Sequence, residues 1–150
     1  MEELRIRPIR DGTVVDHITR GRALDVLRVL GVDSGTRSVV SVAMNVSSER
    51  MDAKDVVKIE GREIGSREAD LIALIAPLAT VNVVREYDVT EKYSVSMPEE
   101  IRGVLVCPNP SCITNTDEPV ETRFVVEGDG EVRCGYCDEV ISGDVADYVA

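Results

Sequence analysis

The chain has 150 residues, 43% of them hydrophobic but only 3% aromatic, and it carries a formal net charge of −11 at pH 7. Such a surplus of negative charge disfavours nucleic acids and anionic membrane surfaces as partners, because both require a basic face. The first residues lack the apolar segment of a secretory signal, and no apolar run approaches the ~20 residues of a membrane span, so we expect a cytoplasmic protein.

Hydrophobic periodicity in the first two thirds of the chain predicts strands and two amphipathic helices in alternation. Gly31 stands where the first helix should end, Ser66 can cap the start of the second, and Pro77 stops it. This pattern predicts an α+β sandwich, one sheet that carries both helices on one face. The predicted strands cover residues 4–9, 13–18, 39–46, 54–60, 80–84 and 87–95, and the helices cover residues 22–30 and 67–76.

The composition changes near residue 97. The region before it holds the only histidine and all three lysines but no cysteine, whereas the region after it holds all four cysteines. Residues 97–100 form a predicted linker, because Pro98 biases the preceding residue to an extended backbone and the acidic pair that follows is well solvated. We therefore expect two domains, residues 1–97 and residues 98–150.

The four cysteines form two closely spaced pairs. Four residues separate Cys107 from Cys112, two separate Cys134 from Cys137, and 21 lie between the pairs. Turn-forming residues within each pair allow both thiolates to face one ion. Four thiolates are typical of a closed, structural Zn²⁺ site with no open position for water. We therefore expect one structural Zn²⁺ in a small all-β domain of the zinc-ribbon or rubredoxin-like kind, in which a hairpin at residues 123–133 brings Cys134 to the metal.

Two other interpretations of the cysteines are possible. Four unrelated buried thiols would not be expected to show such paired spacing. Four thiolates also bind iron, as a cluster or as a rubredoxin-like centre, and the ligands alone do not distinguish the metals. The unequal spacing of the two pairs and the lack of a neighbouring redox motif in the sequence favour Zn²⁺.

Lysine is rare in this chain, and its positions are grouped. Lys54 and Lys58 are an even number of residues apart on one predicted strand and should share a face, and Lys92 is on the last strand of the same region. Solvated surface charge is the usual role of lysine, but this grouping favours an anion site, because an ammonium suits phosphates. The sequence has no P-loop, so a nucleotide would be bound by side chains and strand edges. His17, beside Asp16, is by itself more often a structural residue than a ligand.

The sequence offers no convincing catalytic constellation. The thiols are committed to the predicted metal, and no combination of Ser, His and Asp is supported by its spacing. We therefore expect a binding or regulatory polypeptide rather than an enzyme.

Four segments stand out together, namely residues 12–18 (GTVVDHI), 54–60 (KDVVKIE), 76–82 (APLATVN) and 104–109 (VLVCPN). With the three later cysteines, they resemble the regulatory chain of aspartate carbamoyltransferase over essentially the whole length. The resemblance implies a ferredoxin-like N-terminal domain with an antiparallel sheet, which binds CTP as inhibitor and ATP as activator of pyrimidine biosynthesis. It also implies a zinc domain that docks on the catalytic chain, and regulatory dimers that bridge two catalytic trimers.

The same resemblance implies a set of nucleotide-binding positions. Asp16 and Lys58 correspond to positions near the ribose, and His17 and Lys92 correspond to phosphate contacts. Lys54 corresponds to a position nearer the outer phosphates or a second nucleotide. All three lysines therefore fall on nucleotide positions of the family, in agreement with the anion site expected from their grouping.

Four more positions complete the implied pocket. Thr80 and Asn82 would line it, and the backbone near Ile9 and Tyr87 would contact the base. These assignments depend on the resemblance alone.

The main alternative function is a zinc-ribbon factor that binds nucleic acid or acts in transcription. Residues 101–150 contain three arginines and no lysine against a large acidic surplus, which disfavours this alternative. A zinc or redox enzyme is disfavoured by the closed set of ligands.

Overall fold

The computed structural model describes residues 8–117, 120–128 and 130–149. Within this part of the chain there are two α-helices and eight strands, with short 3₁₀ helices at Ile113–Asn115 and Val145–Tyr148. The helices are α1 (Ala23–Val29) and α2 (Ser66–Ile75), and the strands are β1 (Gly12–Thr19), β2 (Val40–Ser48), β3 (Asp52–Glu60), β4 (Thr80–Arg85), β5 (Asp88–Ser94), β6 (Glu100–Arg102), β7 (Arg123–Val126) and β8 (Val132–Cys134).

The first five strands form one antiparallel sheet in the order β2-β3-β1-β4-β5. Its register aligns Val57, Val15 and Val81 in a row, and all three side chains are buried. Helices α1 and α2 contact each other and share a hydrophobic cluster with this row, so both cover the same face. The α+β prediction with a ferredoxin-like antiparallel sheet is confirmed. We call the opposite face, which carries Lys58 and Asn82, the open face.

Two of the local predictions concern the ends of helices. Gly31 follows α1 with a φ of 72° and ends the helix as predicted, because glycine adopts this left-handed conformation without steric cost. The cap predicted for α2 was wrong by one residue: Gly65 is the N-cap and Ser66 is the first helical residue. The Glu68 carboxylate accepts a hydrogen bond from the Gly65 N–H at 3.1 Å, so a side chain of the first turn satisfies the N–H of the N-cap residue.

Two predicted boundaries also differ from the structure. Of the predicted strand at residues 4–9, residues 4–7 lie outside the described part, and Pro8 and Ile9 are not in a strand. The predicted linker is shorter than expected, because Glu100 begins β6 and pairs with Val125 of β7.

A β-bulge interrupts β1 in the middle of the sheet. Between Val15 and Ile18 the register shifts, so that Asp16 and His17 together lie opposite one residue of β3. His17 has a φ of 55°, which is uncommon for a non-glycine residue. Both Val15 and Ile18 remain buried in the core on either side of the bulge.

The last three strands form a second, smaller antiparallel sheet in the order β6-β7-β8. Phe124 at its centre is fully buried, and the hydrophobic cluster runs without a break from the helices to this residue and to Ala146. The 3₁₀ helix at Val145–Tyr148 contacts both α1 and α2, so it joins the two sheets through one core.

Candidate metal centre and anion-binding face

The four cysteine side chains meet at one point beside the small sheet. Cys107 and Cys112 flank a tight turn, Cys134 ends β8, and Cys137 follows in the next turn. All four Sγ atoms lie within 4.8 Å of one another. The Sγ–Sγ distance is 3.6 Å between Cys107 and Cys137 and 3.8 Å between Cys112 and Cys134. A tetrahedral site with Zn–S bonds of about 2.3 Å has an Sγ–Sγ edge of about 3.8 Å, so the cage fits such an ion.

Hydrogen-bond donors surround the sulfur atoms. The Thr114 hydroxyl donates to Cys112 Sγ at 3.2 Å, and the Tyr136 N–H lies 3.5 Å from Cys134 Sγ. Burial alone would raise the pKa of Cys112, but donors from Thr114 lower it to about 7. Burial raises the pKa of Cys107 and of Cys134 in the absence of an ion. A dication in the cage would remove this cost by balancing the thiolate charge.

Sequence reasoning missed Asn115, which holds the first cysteine turn in shape. Its side-chain amide donates to the Cys107 carbonyl at 2.9 Å and to the Asn109 carbonyl at 2.7 Å. Nothing in the cysteine spacing points to this residue, because the contact depends on the 3₁₀ turn that follows Cys112.

The open face of the large sheet carries a row of residues that crosses all five strands. The register aligns Ser41, Lys58, Val14, Asn82 and Lys92 in that order. Because β3 runs without a bulge, Lys54 and Lys58 share this face, as the even spacing predicted. Sequence patterning alone could not place Lys92 in line with Lys58, since the alignment depends on the strand order.

A compact polar cluster surrounds the bulge on the open face. Lys54 Nζ lies 2.9 Å from Asp16 Oδ1, and His17 Nδ1 lies 3.2 Å from Thr80 Oγ1. The Asp16 carboxylate also accepts the His17 N–H at 2.6 Å. The structure thus brings four of the predicted nucleotide-binding residues into direct contact.

Charge around this cluster is mostly positive. Burial lowers the pKa of His17; Asp16 opposes this effect, and the positive charges of Lys54, Arg50 and Lys92 add to it. Burial also lowers the pKa of Lys58, a residue that is 8% exposed. Arg50, in the turn between β2 and β3, was not singled out from the sequence, because a lone arginine in a turn gives no signal of its own.

The Asp16 carboxyl, unlike the side chains of His17 and Lys58, is favoured in its charged form. Burial raises its pKa, but hydrogen bonds from Lys54 and from the His17 N–H outweigh burial and hold the pKa below its usual value. Asp16 is therefore ionised at neutral pH and orients the ammonium of Lys54.

The remaining predicted residues lie in or beside this face. The Asn82 side-chain amide donates to the Val14 carbonyl at 3.3 Å, and Lys92 is exposed on the edge strand β5. Tyr87 lies in the β4–β5 turn at the far end of the sheet, and its N–H donates to the Arg10 carbonyl at 2.8 Å. Ile9 is buried next to this end. The candidate residues therefore extend along the length of the strands, as an elongated ligand would require.

Among the helices of the described residues, none combines the length and the apolar character that crossing a membrane would demand.

Comparison with known proteins agrees with both parts of this arrangement. Residues 4–96 match the family model described as aspartate carbamoyltransferase regulatory chain, allosteric domain, and residues 99–147 match the metal binding domain of the same chain. The chain is 53% identical to the aspartate carbamoyltransferase regulatory chain of Methanocella arvoryzae over 150 residues, covering 98% of this chain and 96% of the relative.

Two other relatives carry the same name. The regulatory chain of Haloarcula marismortui is 51% identical over 148 residues, covering 99% of this chain and 95% of the relative. The regulatory chain of Methanothermobacter thermautotrophicus is 54% identical over 144 residues, covering 95% and 92%. These likenesses extend over both sheets and favour a regulatory chain over a zinc-ribbon nucleic-acid-binding factor.

Proposed function

Because the chain belongs to the family of aspartate carbamoyltransferase regulatory chains, a non-catalytic subunit, we propose that its open face binds nucleoside triphosphates, CTP and ATP, and controls a catalytic partner. The regulated pathway is pyrimidine biosynthesis, and the compartment is the cytoplasm. In this proposal residues 1–97 form the nucleotide-binding domain and residues 98–150 the domain that contacts the catalytic chain.

The observation that carries the nucleotide proposal is the arrangement of cations on the open face. All three lysines of the chain and its only histidine belong to this face, and Lys58 and Lys92 share one row. In a chain with net charge −11, such a grouping creates a local site for a polyanion. The span from the bulge to the Tyr87 turn suits an elongated ligand, with its phosphates near His17 and its base near Tyr87.

We propose that the metal is one structural Zn²⁺ held by Cys107, Cys112, Cys134 and Cys137. The near-tetrahedral spacing of the sulfur atoms and the purely thiolate donor set support this assignment. With four protein ligands, the ion would hold the two cysteine turns together and leave no coordination position for a substrate.

The surface around the metal centre supports contact with the catalytic chain. Three cysteines each have an exposed apolar neighbour in sequence, namely Val106, Ile113 and Tyr136. Exposed apolar residues fixed by a rigid metal site are suited to a protein interface, because little side-chain freedom is lost on docking.

The edge of the large sheet supports a homodimer of regulatory chains. β2 is an edge strand, and Val39, Val42 and Met44 on or next to it are exposed. An apolar edge strand without a cover is a template for pairing with another chain, and a second copy of this chain would protect it.

The nucleotide proposal is tested by titration calorimetry with CTP on the full, metal-loaded chain. Lys58→Ala and Lys92→Ala should each lower affinity roughly tenfold to a hundredfold, because hydrogen bonds to charged groups contribute ~1.5–3 kcal/mol. Lys54→Ala should matter less, since Lys54 corresponds to an outer position and already pairs with Asp16.

Arg133→Ala is a matched control, because Arg133 lies in the small sheet and pairs with Glu131. Thermal melts should show that each variant remains folded. Unchanged CTP affinity in both the Lys58 and Lys92 variants would remove the nucleotide site from the open face. Co-purification of the chain with a catalytic chain tests the partner separately.

A further inference from the structure

Two pairs of charged residues connect the region of the large sheet to the region of the metal centre. Arg22 Nη2 lies 3.0 Å from Asp144 Oδ1, and Arg28 Nη2 lies 2.7 Å from Asp147 Oδ1. Asp25 stands between the two arginines on α1 and also pairs with Arg22 at 3.0 Å. Both aspartates of the second region belong to the 3₁₀ helix at Val145–Tyr148 or cap it.

The two pairs differ in burial and should differ in strength. The Arg22 and Asp144 side chains are 32% and 26% exposed, whereas those of Arg28 and Asp147 are 51% and 55% exposed. Asp144 Oδ1 also accepts the Ala146 N–H at 3.2 Å, so the same atom caps the 3₁₀ helix and binds Arg22. Because exposed pairs contribute little, the Arg22–Asp144 pair is the one that can constrain the contact.

The segment around Arg22 is tied to β3 by a buried carboxylate. Asp55 is fully buried, and its Oδ2 atom accepts the N–H groups of Gly21 at 2.9 Å and Ala23 at 3.1 Å, the two neighbours of Arg22. Its Oδ1 atom accepts the N–H of Asn45 in the bulge of β2 at 3.0 Å. Asp55 directly follows Lys54 on β3, with its side chain on the opposite face of the strand.

The other end of the contact reaches the first cysteine. The Val106 N–H donates to the Tyr148 carbonyl at 2.7 Å, and Leu105 forms a bridge with Val149. The 3₁₀ helix capped by Asp144 is therefore hydrogen-bonded to the residue that precedes Cys107. A series of hydrogen bonds, ion pairs and chain neighbours therefore leads from Lys54 and Asp55, through the backbone on either side of Arg22 and through Asp144, to the residue before Cys107.

We propose that the Arg22–Asp144 ion pair is a latch that couples nucleotide occupancy of the open face to the position of the metal-bearing region, with Asp55 as the positioning residue that links the latch to β3. This proposal rests on the proposed nucleotide function. A triphosphate bound beside Lys54 restrains the position of β3, and the Asp55 hydrogen bonds transmit that restraint to the start of α1 and so to Arg22. By linkage, a ligand that stabilises the closed latch must bind less tightly when the latch is removed.

The test compares Arg22→Gln with Arg28→Gln in the full, metal-loaded chain. These two variants lose the same charge, one at the N-cap of α1 and the other in its last turn, but only the first loses the more buried pair. We expect Arg22→Gln to weaken CTP binding roughly fivefold or more, the lower end of typical coupling between sites. Arg28→Gln should stay within about twofold of the unmodified chain, as expected of an uncoupled, exposed position.

Hydrogen exchange gives the reciprocal measurement. CTP should slow amide exchange across residues 143–149 in the unmodified chain and in Arg28→Gln, but not in Arg22→Gln. Asp144→Asn retains a residue that can cap the 3₁₀ helix, so it should reproduce the loss of affinity seen with Arg22→Gln. The double variant should lose no more affinity than either single variant, because both remove the same pair.

The outcomes separate the latch from the binding site. If CTP binds but Arg22→Gln retains full affinity, or if exchange at residues 143–149 does not respond to CTP, the latch is wrong while the nucleotide site stands. Additive losses in the double variant would also contradict it. If CTP does not bind the unmodified chain, both the proposed function and the latch are wrong. Asp55→Asn adds a check on the positioning role if it folds, and the surface variants decide the matter if it does not.

Discussion

The regions of the two sheets differ in whether their candidate functional residues are part of the hydrophobic core. In the large sheet the candidate binding residues lie on the open face, whereas the core lies between the other face and the helices. In the small sheet three of the four predicted metal ligands are themselves buried in the core. An exposed lysine of the first region, such as Lys92, can therefore be replaced without disturbing its packing, but a buried cysteine of the second cannot.

The difference follows from how much apolar surface each region encloses. Buried apolar residues other than cysteine are few in the region of the small sheet, compared with those under the helices. A region with so few core residues needs a metal or another cross-link to remain folded. Among the described residues of this region, the buried apolar ones other than cysteine are Ile101, Leu105, Phe124, Val132, Ile141 and Ala146.

Removal of the metal should produce the largest difference in stability between the two regions. Structural Zn²⁺ in small domains contributes ~10–16 kcal/mol of apparent binding free energy at neutral pH. A chelator should therefore unfold the region of the small sheet and leave the large sheet folded, as measured by hydrogen exchange resolved along the chain. Metal analysis of the starting protein should give about one equivalent of zinc.

Nucleotide binding is the control for this experiment. Because none of the four cysteines lies on the open face, CTP affinity should persist after chelation, apart from the loss attributed to the latch. Loss of all CTP binding on chelation, or an iron chromophore in the native protein, would contradict the separation of the two regions.

Core substitutions in the two regions should have effects of intermediate size on the free energy of unfolding. Phe124→Ala should cost about 3–5 kcal/mol and Ile72→Ala about 2–5 kcal/mol of unfolding free energy, because both side chains are fully buried. The two should differ in consequence: Phe124→Ala should weaken metal retention against a competing chelator, and Ile72→Ala should not. Equal metal retention in both variants would show that the core of the small sheet does not support the cage.

Protonation of His17 should produce the smallest effect. Burial and nearby cations lower its pKa, so the folded chain binds fewer protons at this residue than the unfolded chain. Stability should therefore fall slightly as the pH drops through about 6.5, the ordinary value for histidine. A bound triphosphate would raise the pKa again, so binding should take up protons, and CTP affinity should increase by up to about tenfold between pH 8 and pH 6.

The comparison with His17→Gln isolates this contribution. Because the phosphates of CTP titrate in the same range, the relevant quantity is the difference in pH slope between the two proteins, measured by calorimetry. Identical slopes would mean that His17 is a structural partner of Thr80 and does not contact the ligand.

The sequence predicted most elements because hydrophobic alternation is a local property. The strands around Val15, Val57 and Val81 and both helices follow from it, and the cysteine pairs reveal the metal cage through spacing alone. The shared face of Lys54 and Lys58 also followed, because parity along an uninterrupted strand is fixed by geometry.

Contacts between distant segments could not be obtained in this way. The alignment of Lys58 with Lys92 depends on strand order, and the pairing of Arg22 with Asp144 joins residues that are 122 positions apart. Asp55 illustrates the limit most clearly. In the sequence it is one acidic residue within a strand, and only the fold shows that three backbone amides from two other segments converge on it.

The bulge in β1 has a consequence for how this chain can change in length. Val15 and Ile18 are three positions apart, an odd number, yet both enter the core, and the bulge at Asp16 and His17 makes this possible. Deletion of one of these two residues would restore a regular strand at the cost of the polar cluster, and insertion of one would require a wider bulge or a different register with β3. The length of this segment must therefore keep Val15 and Ile18 in the core and also keep the polar cluster at the bulge. Tolerated insertions and deletions should fall elsewhere, as in the turn between β2 and β3.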